Sequence, residues 1–340
     1  MTTRRRVLVA RLDADGDVLL AGPAVRAVAA VADHVVLLTG PRGRGAGELL
    51  PGPDDVLTWA APWIEPLPAP PATQGHLDEL VVAVRQRDVD EAVVLTSFHQ
   101  SALPLAMLLR LAGLRRITAI SEDYPGSLLD CRVPDPGDVP EPERALAVTA
   151  AAGFPRPDDD DGCLAVRQPL PDTSALTGTA PYVVLHPGTS VSARAWPVQH
   201  WTRLAETLDA AGMHAVVTGG RNEKELTAAV AGHSALDLGG RTSLAELAGV
   251  LDRAEAVVVA NTGPAHLAAA VETPVVSLFA PTVPAARWAP YGVPLELLGD
   301  QTAACRGTRA TTCPVPGHPC LSLVGPEDVA AALNRLGVSV

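Results

Sequence analysis

"AVVVANTGPAHLAAAVETPVVSLFAPT", residues 256–282, decides the fold. A β-branched run enters a polar turn, Asn261-Thr262-Gly263-Pro264. An alanine-rich stretch follows, and then a second β-branched run that ends in Ala280-Pro281-Thr282. Run, turn, helical stretch and run make a strand–helix–strand unit, whose two strands lie parallel. Outward from it the pattern repeats: "YVVLHPG" (182–188), "HAVVTGG" (214–220) and "ALDLGG" (235–240) precede it, each closed by a glycine turn.

The first half carries the same alternation. Strand-like runs stand at 6–10, 34–38 and 92–96, with a weaker one at 117–120. "DELVVAVRQR" (78–87) and "ALPLAMLLRLAGL" (102–114) have helical spacing, the second ending at a glycine stop. Residues 134–180 are rich in Pro, Asp, Gly and Thr, include "RPDDDDG" (156–162), and hold one helix at 143–152. The reading is α/β: two Rossmann-like, doubly wound parallel-sheet domains facing a central cleft. Residues 1–160 form the first domain, 161–180 a linker and 181–325 the second domain. "GPEDVAAALNRLG" (325–337) makes a final helix, and 326–340 are expected to cross back to the first domain.

Composition narrows the function classes. The chain has 340 residues, more than one core usually serves, and a net charge of −12, which argues against nucleic acid as a partner. Lys224 is the only lysine, so arginine in place of lysine carries little meaning by itself. No apolar run approaches the roughly 20 residues of a membrane span. The basic opening "MTTRRR" returns to charge too soon for a signal-peptide core, so a cytoplasmic location is expected. Five cysteines, an odd number, fit a reducing compartment.

In doubly wound sheets, ligands sit at the carboxyl ends of strands. In the second half those turns hold His186–Ser190, Thr218–Gly220, Gly239–Ser243, Asn261–Pro264 and Ala280–Thr282, mostly small, hydroxylated or glycine. Their backbone N–H groups can form anion-binding nests. No GxxxxGK[ST] is present, and no GxGxxG follows the first strand, so ATP hydrolysis and NAD chemistry lose their usual signatures. A nucleotide diphosphate held by several separate loops is the remaining fit. The first strand behaves differently: "ARLDADGDVLLAGPAVRAV" (10–28) places three aspartates around one glycine, the wrong chemistry for a phosphate. Read alone, Asp17 is either the N-cap of a helix starting near Val18 or a carboxylate that does chemistry.

Five stretches together carry a resemblance. "VLVARLDADGDVLLAGPAVRAV", "LHPGTSVSARAWPVQHW", "VVTGGRNEKE", "LGGRTSLAELAGVLDRAEAVVVANTGPAHLAAAVETPVVSLFAPT" and "CPVPGHPCLSLVGPEDV" resemble, in that order, the ADP-heptose heptosyltransferases of glycosyltransferase family 9. The similarity is strongest over 182–284 and thins over about 40–160. It implies a GT-B fold with an acceptor-binding first domain and a nucleotide-sugar-binding second domain. It also implies inverting transfer without a metal, an ADP-sugar as substrate rather than a cofactor, and a glycan or small-molecule acceptor.

Site residues follow from the same resemblance. Asp17 of the Gly16-Asp17 pair becomes the general base, and Arg194, where the family usually has lysine, stabilises the leaving diphosphate. Arg11 matches a basic position on the acceptor side, or simply pairs with an aspartate. Asp13 and Asp15 read as polar loop residues, Asp13 within reach of acceptor hydroxyls. On the donor side stand Thr189 and Ser190, Glu223 toward the ribose, and Thr242, Ser243 and Leu244 toward adenine and ribose. Thr262, Gly263 and Pro264 supply a helix N-terminus for the phosphates, and His266 lies one turn in. Asn261 departs from the Asp-Thr-Gly common in the family; an amide cannot be a base, and it donates as well as accepts.

Residues 1–150 hold 14 Arg against 20 Asp and Glu, a balance that suits a neutral or cationic acceptor, a natural product or a surface glycan, better than a phosphorylated one. Cys305, Cys313, His318 and Cys320 lack a CxxC pair and fit no common zinc module, so no metal is expected. A GT-B-like sugar epimerase and a non-catalytic ADP-sugar-binding protein are the other readings of the same loops.

Overall fold

β1 (Arg6–Arg11) is buried from Val7 to Ala10 with no exposed surface. Leu8 and Ala10 point into one core with Leu80, Val84, Leu105 and Leu109 of two helices, Gln74–Gln86 and Leu103–Ala112. Val7 and Val9 face the opposite side, as alternation along a strand requires. A strand buried on both faces reads as a continuous apolar run, and only parallel sheets covered by helices on both sides are built that way.

The computed structural model describes residues 5–65 and 68–340; the basic opening at 1–4 lies outside them. The chain divides into two compact units, Met1–Arg167 and Gln168–Val340. In the first, β1 is joined by β2 (His34–Thr39), β3 (Asp55–Thr58), β4 (Glu91–Val94), β5 (Arg116–Ile120) and β6 (Cys131–Val133). Their spatial order is β3-β2-β1-β4-β5-β6, with every neighbouring pair parallel. The second unit has β7 (Tyr182–His186), β8 (His214–Val217), β9 (Leu236–Asp237), β10 (Ala256–Ala260), β11 (Val275–Leu278) and β12 (Leu295–Leu298). Its order is β12-β11-β10-β7-β8-β9, again all parallel. Counted from its own first strand, each sheet therefore reads 3-2-1-4-5-6. The order reverses between β1 and β4 in one sheet and between β7 and β10 in the other. At such a switch point the two flanking loops turn to opposite faces and leave a crevice.

The central strands match the sequence reading to within a residue or two. β3, β6 and β12, not foreseen, are short edge strands, and neither "DVLT" nor "CRV" carries a long apolar run. The stretch read as a linker is divided between the units. Arg167 donates from Nε to Leu50 O at 2.7 Å and from Nη2 to Pro53 O, which ties the chain up to that point into the first unit. The acidic run is anchored too: Arg26 grips Asp160 through Nε and Nη2 at 2.7 and 2.8 Å. Those bonds hold the Asp160 carboxyl below its ordinary range.

The final helix, Pro326–Arg335, belongs to the second unit. Val329, Ala332 and Leu333 bury their side chains in that unit's core beside Trp201, Leu204 and Leu208 of the helix Val198–Ala210. The i, i+3, i+4 spacing on both helices makes the matched apolar stripes. No helix among the described residues is long and apolar enough to cross a membrane.

Candidate active site

At the β1–β4 switch point the chain leaves β1 and starts a helix, Asp15–Leu20, almost at once. Its N-cap is Ala14, in extended conformation and with no side-chain cap bond; the N–H groups of Asp17 and Val18 both bond Ala14 O. Asp17 is thus the third helical residue, and the N-cap reading fails because its carboxylate is turned elsewhere. Its Oδ1 accepts from Arg11 Nη2 at 2.9 Å.

Arg11 is the hub of this crevice. Its Nε faces Asp13 Oδ2 at 2.9 Å, Nη1 meets Glu141 Oε2 at 3.3 Å, and Nη2 also donates to Ser97 Oγ at 2.8 Å. Burial disfavours the charged guanidinium, but Asp13, Asp17 and Glu141 outweigh it and raise its pKa above the ordinary arginine value. Asp13, far from being an open loop residue, is buried and accepts from Gln100 Nε2 at 2.5 Å. Its pKa is raised, first by burial and then, against the pull of Arg11, by the charges of Asp17 and Glu141. Asp15 accepts from Ala46 N at 2.9 Å and so holds the next helix, Arg44–Leu49, in place. Gly16 is buried inside the first turn. Among the four charged side chains of the cluster, Asp17 is the accessible one: 27% exposed, against 11% for Asp13, 3% for Arg11 and 2% for Glu141.

Ser97, Gln100 and Glu141 were not foreseen. Ser97 and Gln100 follow β4, the other side of the switch point, where strand order alone points. Glu141 opens the helix Glu141–Ala151 and has no local motif; only the tertiary fold brings it to Arg11.

In the second unit three contacts knit four loops along the carboxyl edge. Arg194, after β7, donates from Nη1 to Asn261 O at 3.1 Å, which places its charge at the turn opening the helix Gly263–Ala270 after β10. Glu223, after β8, lies so close to Gly188 of the β7 loop that a Cβ there would be 2.2 Å from its Oε1. The turns after β8 and β9 are joined by Gly240 N to Gly219 O at 2.8 Å; Gly240 has φ +66°, a left-handed conformation that glycine adopts at little cost.

The individual side chains sort as follows. Thr262 is the N-cap residue of the helix at 263–270, without a side-chain cap bond, and Pro264 stands in its first turn. His266 is buried within that helix. Asn261 is buried; its Nδ2 reaches Ala280 O at 3.5 Å, while Oδ1 has no hydrogen-bond partner. Thr189 Oγ1 accepts from Val191 N at 3.3 Å, and Ser190 is exposed beside it. Ser243 is the N-cap of Leu244–Asp252 in a reciprocal box with Glu246, so its side chain serves the helix, and Leu244 begins that helix. Thr242 is half-buried just before it. Glu223 Oε2 accepts from Gly220 N at 2.7 Å. His186 is buried against Thr218 Oγ1 at 2.9 Å, and burial lowers its pKa to about 4 even though Glu223 opposes the shift.

Cys305 and Cys320 are buried in the apolar core, where burial and then the neighbouring thiols push the Cys320 thiol up to about 11. No group of three His, Cys, Asp or Glu among the described residues is arranged to hold a metal ion. A surface pocket between Leu298, Cys320, Leu323 and Arg335 lies at the β12 edge, two strands from β10, and is separate from these loops.

Residues 80–317 match the family described as glycosyltransferase family 9 (heptosyltransferase). The chain belongs to glycosyltransferase family 9. It is a glycosyltransferase of the heptosyltransferase type, and three solved structures share its fold. Escherichia coli ADP-heptose LPS heptosyltransferase II is 19% identical, with TM-score 0.76, over 97% of this chain and 98% of the other. A family 9 glycosyltransferase from Veillonella parvula is 18% identical, with TM-score 0.78, over 98% and 97%. Escherichia coli heptosyltransferase WaaC with ADP-2-deoxy-2-fluoro heptose is 20% identical, with TM-score 0.71, over 97% and 99%. No curated protein matches the chain in sequence. The GT-B expectation therefore holds, and this family 9 member keeps two sheets of one strand order, each with its charged side chains at the switch point.

Proposed function

We propose that the chain is an inverting, metal-independent transferase that moves a sugar from an ADP-sugar, heptose being the first candidate, to a hydroxyl of a small-molecule or glycan acceptor. The observation that carries this reading is the bond from Arg194 to the carbonyl of Asn261. It sets a guanidinium against the N-terminus of the helix at 263–270, whose N–H groups and dipole favour negative charge. A diphosphate leaving group gains negative charge as the glycosidic bond breaks. A cation and a helix start already in place stabilise that charge without reorganising. The turns around Glu223 and Thr242–Leu244 take the ribose and adenine, and Asn261 Oδ1 accepts from a sugar hydroxyl. Asp17, held by Arg11 at its inner oxygen, accepts the proton of the acceptor hydroxyl as that oxygen attacks the anomeric carbon.

Two measurements on the purified chain test this. Ligands that bind only the native state raise the unfolding temperature, so ADP and ADP-heptose are expected to stabilise it more than UDP and UDP-glucose; the reverse order removes the ADP-sugar reading. Transfer is expected to continue undiminished in EDTA, and its loss on chelation with recovery on adding a divalent ion removes the metal-free mechanism.

A further inference from the structure

The final helix, Pro326–Arg335, has a second face that the core does not use. Asp328, Ala331 and Arg335 are exposed and lie within about 60° of one another around the helix axis. They form one wall of the surface pocket at the β12 edge, a cavity of about 280 Å³ whose other sides include Leu298, Asp300, Cys320 and Leu323. Leu323, two residues before the helix's N-cap Gly325, is 80% exposed, more than any other leucine, valine or methionine among the described residues. An exposed aliphatic side chain beside an open cavity with a polar rim marks a contact surface. We propose that this face is a two-fold interface, and that a second copy of the chain covers it.

Charge selects the occupant. Asp328 stands in the first turn of the helix, Arg335 closes its last turn, and Ala331 lies midway. A two-fold axis beside Ala331 runs two such helices antiparallel. It brings Asp328 level with the partner's Arg335, and Arg335 level with the partner's Asp328. Both groups keep an open edge among the described residues. Asp328 accepts from Gly325 N through Oδ2 alone, at 2.8 Å, and Arg335 reaches Glu296 through Nη2 alone, at 2.8 Å, while its side chain is 53% exposed. A partner surface of one sign meets repulsion at one end of this face, whereas the same face turned round matches both ends. Ala331 at the axis permits an interaxial distance of about 8 Å. The same rotation carries the partner's Leu323, which precedes the Asp328 end of its own helix, to the Arg335 end of the cavity. A small ligand fits less well. Its pockets gather convergent polar groups, and among the described residues no buried polar atom left without a partner belongs to a residue lining this cavity. The helix is about 15 Å long, so the contact falls short of the roughly 800 Å² per copy of a standard interface. The dimer is therefore weak and reversible, with a dissociation constant in the micromolar range or above.

The test is sedimentation velocity on the full chain from about 1 to 300 µM, which spans such a constant. A reversible monomer–dimer equilibrium is expected. Ala331→Arg wedges a long cation into the axis, opposite its own copy, and Leu323→Asp removes the apolar contact. Both positions are exposed, so the unfolding temperature of the monomer should hardly move. Association should weaken roughly tenfold or more in each. Asp328→Arg and Arg335→Asp should each weaken it similarly, and the double reversal should restore it, because the pairs re-form with their signs exchanged. The double variant still lacks the bond from Gly325 N to Asp328, so recovered association cannot come from recovered stability. A chain that is monomeric at every concentration overturns the inference, and uptake of anilinonaphthalene sulfonate by that monomer, lost in Leu323→Asp, gives the cavity to a small ligand instead. A dimer indifferent to Ala331→Arg and Leu323→Asp overturns it too, as does a double reversal that associates no better than the single ones.

Discussion

Gly188 and Glu223 occupy each other's space: a methyl group on Gly188 would lie 2.2 Å from Glu223 Oε1 and 2.3 Å from Oε2. The absent side chain is what lets the carboxylate of the β8 turn rest on the β7 loop. Gly188→Ala needs no unusual backbone angle, so Glu223 is expected to rotate away and lose its bond to Gly220 N. Stability should fall by about 1 kcal/mol, the net worth of one hydrogen bond. The thermal shift caused by ADP should fall more than that. Glu223→Gln in the Gly188→Ala background should then add little, and a full extra loss in the double variant would show that the two residues act independently.

Arg194 is expected to matter more for transfer than for folding, since it sets its charge at the turn that opens the helix at 263–270, donating to Asn261 O. Arg194→Ala should lower the transfer rate by roughly 10²–10³-fold, the size of losing one preorganised group at a developing charge. Arg194→Lys should recover part of it, because charge is kept while the fork is lost. Equal rates in the alanine and lysine variants would mean that the charge is not what the site uses.

Asp17→Asn is expected to lower transfer by about 10²–10⁴-fold, a general-base contribution, with the ADP-induced thermal shift unchanged. The helix start does not depend on this side chain, because Ala14 is the cap. Arg11 keeps Asp13 and Glu141 as partners, so the unfolding temperature should move little. Near-normal turnover in a folded Asp17→Asn protein would move the base to another carboxylate.

His186 sets a pH dependence. Its folded pKa is about 4 against an ordinary 6.5, because burial disfavours the cation. The unfolded chain therefore binds the proton more readily, and this contribution to stability is complete above about pH 6.5 and disappears as the pH falls toward 4. Its upper bound is about 3.4 kcal/mol, from about 2.5 pKa units at 1.36 kcal/mol each. Asp13 and Asp15, whose values are raised by burial, act with the opposite sign at the acid end. The comparison is thus His186→Gln against the unsubstituted chain: the two unfolding curves should converge between pH 6.5 and 4, and parallel curves would exclude the effect.

The repeating run–turn–helix pattern made both sheets legible, because a strand buried on two faces must be apolar throughout, as Val7–Ala10 and Val257–Val259 are. The edges were not legible: β3 buries only Leu57 of its four residues and β12 is half-buried throughout, so neither leaves a pattern. Local motifs exposed the turns that hold Arg194, Asn261 and Glu223. They misread Asp17 as a possible cap, because an aspartate at a helix start looks the same whether its oxygens turn to the backbone or to Arg11. They also could not reveal Glu141, which meets Arg11 at a separation of 130 positions. Ser243 matched a nucleotide-contacting turn, yet S-x-x-E is equally a capping box, and its hydrogen bonds follow that second pattern.

The strand order has a further consequence for how the chain is made. β1 is synthesised first but sits in the middle of its sheet, with β4 as one neighbour; the bond from Arg6 N to an Asp90 carboxylate at their mouth spans 84 positions. While the nascent chain lacks β4, one edge of a strand buried from Val7 to Ala10 has no partner, and the same interval recurs between β7 and β10. Long-range parallel pairing of this kind folds slowly and leaves edges open to other chains. Each half of the molecule must therefore pass through an adhesive interval during translation, which ends only when its fourth strand leaves the ribosome.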